Sequence, residues 1–457
     1  MAVQRTSMQR KNKYLSCLGE EMGILWLLVI FAVIASYEAA ENDLELVFAN
    51  VVWRHGARSS LHSYPSDPYN DKSIWPQGPG QLTQVGMSQE FELGQFFRLR
   101  YNNLLSKQYN RSEIYIRSTD IDRTLMSAEC NMAGLYPPSG QQEWNGTDTT
   151  WQPIPVHTVP VELDQLLVYP IKNCPKYSKL LSQIYKSSQF KAMEDRYLKF
   201  LKELEVFTAW GSTPNFTDAK HIYDTLICEK FHNLTLPAWV TPERFSVLTD
   251  IAGIDMAFMF GAIVSEFQNK MAKSGGGGSL LKVIVDNIQG HINGTSTYKL
   301  VAYSAHDTTV NALLSAIGQF NMLPPPFASS VLLEVYKTKS RKQYIVKAYY
   351  RNSTVEAPMP LRVLGCDFSC PLDEFKKLCD RVIPHDIDSD CDRNNEPAFH
   401  TTLLLFIVSG LLLLTWAIII IVLCCRRNSR NEFQKPTHYQ SLPLDDAAST
   451  QETNLVP

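Results

Sequence analysis

Three short stretches of the chain carry residue types able to bind and split a phosphate ester. RHGAR supplies Arg54, His55 and Arg58. YIRSTDIDRT supplies Arg117, Asp120, Asp122 and Arg123. YSAHDTT supplies His306 and Asp307. Guanidiniums pair bidentately with phosphate or carboxylate oxygens, so several in one cleft call for a dense anion, and a phosphate monoester fits better than a carboxylate. A neutral imidazole can attack phosphorus, and the phosphohistidine it forms divides hydrolysis into two easier steps. Arg54 and Arg58 disfavour protonation of His55 and keep it neutral in mild acid. An alkoxide leaves poorly without a proton. Asp307 can supply that proton as general acid and then act as base toward water. A free Asp titrates near ~3.9, which predicts an acidic optimum. The arginines neutralise charge developing on the phosphoryl group, so this chemistry needs no metal and no cofactor. His55 and Asp307 are the candidate catalytic residues. Arg54, Arg58, Arg117 and His306 are the candidate phosphate ligands. Gly56 lets the backbone approach the anion.

These residues meet only if their segments end at one place. Leu44 to Trp53 is an apolar, β-branched run that stops at Arg54, the pattern of a buried strand. Glu113 to Ser118 and Tyr298 to Ser304 read as two more strands. Ligands of open α/β sheets bind beyond the carboxyl ends of the strands, so three parallel neighbours would bring the three stretches together. Gln81 to Tyr101 shows helical spacing. Val331 to Tyr336 and Tyr344 to Tyr350 read as an antiparallel pair near a sheet edge. Lys176 to Leu204 and Arg244 to Val264 read as helices of a cap spanning about 160–250. By composition, SGGGGS (274–279) reads as a flexible surface loop.

The chain has 457 residues, 45% of them hydrophobic and 19% charged, with a formal net charge of −3. That balance carries no basic face for nucleic acid. An apolar segment from Gly23 to Ala35 follows basic residues and precedes small ones, which predicts a cleaved signal within residues 1–36. Residues 402–425 carry no charge and suit a transmembrane helix, and Arg426, Arg427 and Arg430 follow at once, which places the C-terminal side in the cytosol. The expected layout is a type I single-pass protein with a lumenal or extracellular domain over 43–395 and a cytosolic tail over 426–457. Six sequons, at Asn110, Asn145, Asn215, Asn233, Asn293 and Asn352, all fall between the apolar segments. Seven cysteines do too, an odd number that leaves at least one thiol unpaired. Cys366 and Cys370 can close a small disulfide loop or form half of a zinc site; with no second Cys/His pair nearby, the disulfide is preferred. In the tail, Tyr439 and Leu442 have the spacing of a tyrosine-based sorting signal, which expects sorting adaptors and a lysosomal, endosomal or plasma-membrane location.

The RHGxR, YIRSTDIDRTLMSA and YSAHDTT blocks resemble the histidine acid phosphatase family, within the phosphoglycerate-mutase-like folds. WPQGPGQLTQVGM, WQPIPVHTVP and GCDFSCPL extend the likeness over most of 44–391. The resemblance implies an α/β/α sandwich with an inserted helical cap, His55 as nucleophile, Asp307 as proton donor, Arg54, Arg58, Arg117 and His306 as phosphate ligands, and a homodimer. It also implies pairing of Cys174 with Cys391 and of Cys366 with Cys370. Two departures stand in the first loop, Ala57 and Ser60, where the family often has Asp and Pro. A third is Ser330, where relatives place the cysteine that pairs with the position of Cys228. The implied activity is metal-independent acid hydrolysis of phosphate monoesters. The alternatives are a narrower phosphatase for lipid, phosphotyrosyl or nucleotide substrates, and a catalytically weak receptor or adhesion module.

Overall fold

A computed structural model describes residues 43–144, 150–168, 174–392 and 398–432. The expected signal segment, the sequon at Asn145 and the tail motif at Tyr439 and Leu442 lie outside the described residues.

The frame is one seven-stranded mixed sheet. Its strands are β1 (Leu44–Arg54), β2 (Ile114–Ser118), β3 (Leu300–Ala305), β4 (Ser330–Thr338), β5 (Tyr344–Arg351), β6 (Met359–Leu361) and the two-residue β7 (Cys370–Pro371). The order is β2-β3-β1-β4-β5-β6, with β7 also on β5. β2, β3 and β1 run parallel, with Arg54 level with Ala305 and Ser118 with Ser304. The three polar stretches therefore follow three adjacent strands at the same end of the sheet. β4 lies antiparallel on β1, in the interior of the sheet, and β6 forms the edge beyond β5. The two segments read as an antiparallel pair near a sheet edge do pair antiparallel, with β5 beside the edge strand and β4 one place further in. The burial pattern agrees, since Val331, Leu332, Leu333 and Val335 are all fully buried. A strand covered on both faces has no alternation by which to judge its place in the sheet.

Both faces carry helices. On one side, α1 (Gln84–Arg100) and α2 (Asp122–Leu135) cover Ala49, Val51 and Trp53 with Leu93, Phe97 and Met132. The helical region consists of α3 (Pro175–Tyr185), α4 (Ser188–Thr208), α5 (Phe216–Phe231) and α6 (Pro242–Met259). Ser187 ends the stretch read as one helix and starts the next, accepting from the Phe190 amide. These helices share an apolar cluster that includes Tyr177, Phe190, Phe216 and Phe258. Cys174 is bonded to Cys391 and Cys366 to Cys370, while Cys130, Cys228 and Cys379 are free.

The other side is covered by α7 (Ser265–Lys273), α8 (Gly278–Ile292) and α9 (Asp307–Ala316). The SGGGGS run is not surface slack. It is the buried turn from α7 into α8, where Ser274 is inaccessible. Gly277 has a φ of +99°, and a Cβ there would lie 2.1 Å from the Ala312 carbonyl oxygen; one on Gly278 would lie 2.2 Å from that of Val382. Composition alone could not separate glycines that permit motion from glycines that permit close backbone approach.

In a separate unit, Ala398–Glu432 forms one helix, and its Leu403–Arg427 segment, with mean hydropathy 2.9, is long and apolar enough to cross a membrane.

Candidate active site

His55 is the first residue beyond β1. Its amide donates to the Ala305 carbonyl at the end of β3, and the Arg54 amide donates to Ser329 beside β4. The loop is thereby pinned to both flanking strands. Gly56 is needed for packing, because a Cβ there would lie 2.3 Å from the Gly86 carbonyl oxygen of α1. The His55 ring is buried, with Nδ1 2.8 Å from the Gly56 carbonyl oxygen. A carbonyl only accepts, so Nδ1 carries the proton and the Nε2 lone pair is free. Burial, then Arg123, Arg54, Arg58 and His306, hold the His55 pKa well below the usual 6.5. The imidazole therefore stays neutral in mild acid.

Arg54 is fixed on three sides. Its guanidinium donates to the Pro325 carbonyl at 2.6 Å, pairs with Asp307 at 3.0 Å and lies 4.1 Å above the Phe327 ring. Arg58 is held by two bonds to Asp224 of α5, at 2.8 and 3.0 Å, and contacts the Cys228 sulfur at 3.3 Å. Ala57 is fully buried against Phe327 and Cys228. Ser60 donates to the His62 carbonyl and sits 3.3 Å from the Thr225 hydroxyl, so it ties the loop to α5.

His306 is the N-cap of α9 and Asp307 its first residue. His306 Nε2 is 3.0 Å from the Thr119 hydroxyl, which is 2.7 Å from that of Thr124. The other ring nitrogen faces the Arg123 guanidinium at 3.4 Å. An arginine N–H only donates. In the neutral ring Nδ1 must then accept, while Nε2–H donates to Thr119. Burial, with Arg123, Arg58 and Arg54 acting against Asp307, pulls His306 down to about 3.

Asp307 experiences opposed forces. Burial raises its pKa, but Arg54, Arg58 and His306 outweigh burial and leave the carboxyl below its ordinary 3.8. It is a carboxylate paired with Arg54, not a standing proton donor.

The structure brings together His55, Asp307, Arg54, Arg58 and His306, but not Arg117. Arg117 pairs with Tyr303, which pairs with Val52, so it stands two residues behind Arg54 along the sheet. Its guanidinium binds the buried Asp164 at 2.7 Å and lines a different cavity with Lys282, Asp286 and His385. The place expected for Arg117 is taken by Arg123, in the first turn of α2. Arg123 faces His306, and burial with the neighbouring Arg58 and Arg54 charges, only partly offset by Asp307 and Asp224, lowers its pKa to about 10. It forms no ion pair among the described residues. Two others were missed by the sequence reading: Asp224, which aims Arg58, and Thr119, which sets the His306 tautomer. Neither has a signal in sequence spacing. Arg123 did have one, because it follows the strand end whereas Arg117 precedes it.

A family model for the histidine phosphatase superfamily, branch 2, matches residues 45–351. The chain is 42% identical over 379 residues to the lysosomal acid phosphatase of Xenopus laevis, covering 82% of this chain and 85% of the relative. It is 42% identical over 351 residues to human prostatic acid phosphatase, covering 77% and 89%. Among solved structures, the phytase from Citrobacter braakii superposes with a TM-score of 0.57 at 16% identity, over 76% of this chain and 99% of that one, which shows a shared fold.

Proposed function

Since the chain belongs to the histidine phosphatase superfamily, branch 2, we propose that it hydrolyses phosphate monoesters in mildly acidic surroundings through a phosphohistidine on Nε2 of His55. The observation that carries this reading is the unpaired Arg123. Three guanidiniums crowd a buried neutral imidazole, only Arg54 and Arg58 have carboxylate partners, and a phosphoryl group would supply the missing charge.

In the first step Nε2 of His55 bonds to phosphorus and the ester P–O bond breaks. The leaving oxygen takes a proton from Asp307. In the second step water attacks the phosphohistidine, Asp307 takes the water's proton, and the N–P bond breaks to release inorganic phosphate. Arg54, Arg58 and Arg123 hold the non-bridging oxygens, where preorganised donors act most strongly on developing charge, and His306 adds a donor only when the incoming phosphoryl charge gives its ring a second proton.

The origin of the acid preference differs from the sequence expectation. Arg54, Arg58 and His306 keep Asp307 ionised in mild acid, so its proton must arrive with the substrate. A phosphate ester loses its second proton near ~6. Below that pH it enters as a monoanion and can pass its proton to Asp307, whose tie to Arg54 the phosphoryl group then shares. The alkaline limb of kcat/KM should follow the ester's second ionisation.

This reading places residues 43–395 in a lumenal or extracellular compartment, with one span near 402–425 and a tail signal at Tyr439 and Leu442 for sorting adaptors. The five described sequon asparagines, Asn110, Asn215, Asn233, Asn293 and Asn352, are all exposed, in accord with glycan attachment there. A second copy of the chain belongs to the same reading. The test is p-nitrophenyl phosphate hydrolysis across pH, with an alkaline quench to trap labelled phosphohistidine. Turnover without label on His55 would reject the covalent route.

A further inference from the structure

The cavity that contains Arg54, Arg58 and Asp307 has a volume of about 160 Å³ and extends outward between the loop after β1 and helix α5. Its outer wall presents two imidazoles, one from each side. His62 lies on the loop and His221 on α5, with ring centroids 4.5 Å apart and planes tilted by 34°. One hydroxyl fixes both backbones, because Thr225 Oγ lies 2.9 Å from the His62 carbonyl and 3.1 Å from that of His221. The core chemistry proposed above uses neither ring.

On its outer side His62 also borders a second cavity with Asp67, Asp71 and Glu229, while the charges of the inner cavity are committed to one another. On α5, Lys220 is 2.6 Å from Asp255 of α6, which is fully buried, and Asp224 is committed to Arg58. Asp218 stands in the first turn of α5. From α9, Asp307 lines the inner cavity and is paired with Arg54. Imidazole is the side-chain type that gains charge between neutral and mildly acidic pH, and this wall sets two of them face to face. His221 is held down by burial, His62 and Lys220, with Asp224 and Asp218 opposing. Two imidazoliums at this separation repel one another, and an anion seated between them removes that penalty. Proton uptake and anion binding are thus linked, each favouring the other.

We propose that His62 and His221 form a proton-gated subsite for a second anionic group, a phosphate or carboxylate, carried by the leaving-group side of the substrate. The subsite rests on the phosphatase reading for what occupies the inner site. It favours esters of anionic alcohols in acid and loses that preference near neutral pH.

The test is calorimetric titration of the detergent-solubilised full chain with non-hydrolysable probes. These are propane-, butane- and pentane-α,ω-bisphosphonates against n-butylphosphonate. At pH 5 the best bisphosphonate should bind at least tenfold more tightly than the monophosphonate. At pH 7.5 the ratio should fall toward the statistical factor of two, although the probes themselves carry more charge there. His62→Ala and His221→Ala should each bring the pH 5 ratio below threefold. A ratio equal at both pH values, or one unmoved by both substitutions, overturns the subsite. A purely structural role for the pair would weaken both probes alike and leave the ratio intact, which also overturns it. Turnover of p-nitrophenyl phosphate is measured in parallel. Its absence with the ratio as expected would count against the hydrolytic reading alone.

Discussion

Arg123→Ala and Arg117→Ala separate the geometric assignment from the one read in sequence. Arg123 faces the site with no carboxylate partner among the described residues, so its removal takes away a charged donor from the phosphoryl oxygens, together with its contact to His306. A hydrogen bond to a charged group is worth ~1.5–3 kcal/mol, which at about 1.4 kcal/mol per decade predicts a loss of roughly 10- to 200-fold in kcat/KM. Stability should hold or rise slightly, because Arg123 is repelled by Arg54 and Arg58. Arg117→Ala should do the reverse. Asp164 is 1% exposed and would lose its counter-ion. Breaking a buried pair costs ~3–5 kcal/mol, softened here because the Leu166 and Leu167 amides still donate to Asp164. A loss of about 3 kcal/mol lowers Tm by roughly 5 °C in a domain of this size. The kcat/KM of the folded fraction should stay within about threefold. A small indirect effect is expected, since the Leu167 carbonyl accepts from Thr309 in the first turn of α9, beside His306. The assay is p-nitrophenyl phosphate kinetics at pH 5, paired with thermal melts of the same preparations. If Arg117→Ala, shown folded by its melt, loses more kcat/KM than Arg123→Ala, the assignment is refuted and the sequence reading stands.

His55→Ala should reduce turnover to background at every pH, with its melt intact. Asp307→Asn should slow alkyl phosphates by at least tenfold more than p-nitrophenyl phosphate, whose leaving group needs little protonation; equal losses on both substrates would remove the proton-donor role. Aryl phosphates with progressively lower second pKa values should shift the alkaline limb of kcat/KM downward in step, and a fixed limb would assign it to the protein instead. Buried Glu229 lines a cavity beside Asp67; burial and Asp67 push its pKa up from 4.5 to about 8. The native state then holds a proton that the unfolded chain releases above 4.5, so stability should fall as pH rises from 5 to 8, by about 2 kcal/mol after allowing for water in that cavity. Glu229→Gln should flatten the dependence of Tm on pH over this range, and an unchanged slope would remove the carboxyl pair as its cause.

The framework was legible because the signals that define it are local. The apolar run 44–53 ending at Arg54, and the runs ending near Ser118 and Ser304, each mark a buried strand by composition and a strand end by the abrupt appearance of charge. Right-handed parallel connections then leave little freedom in how three such ends meet. The legible part stops where a residue's partner lies far away in sequence. Asp224 lies 166 residues from the arginine it orients, and nothing near it in sequence marks it out. The same holds for Gly277 and Gly278, whose neighbours are the Ala312 and Val382 carbonyls.

Arg117 and Arg123 show the difference most directly, because the two lie six residues apart in one block. A residue inside a strand projects from a face of the sheet, whereas a residue in the first turn of the following helix projects over the strand end. Only the second position reaches a cleft at the carboxyl edge. Residue type alone made the two arginines equivalent, and the end of β2 at Ser118 distinguishes them. Asp307 carries the argument from position to chemistry. Its type gave it a proton at low pH, but its place beside Arg54, Arg58 and His306 removes that proton until a phosphoryl group arrives. On the proposed mechanism acid hydrolysis is therefore a property of the protein with its ester, since the surroundings that keep His55 neutral in acid also keep Asp307 ionised.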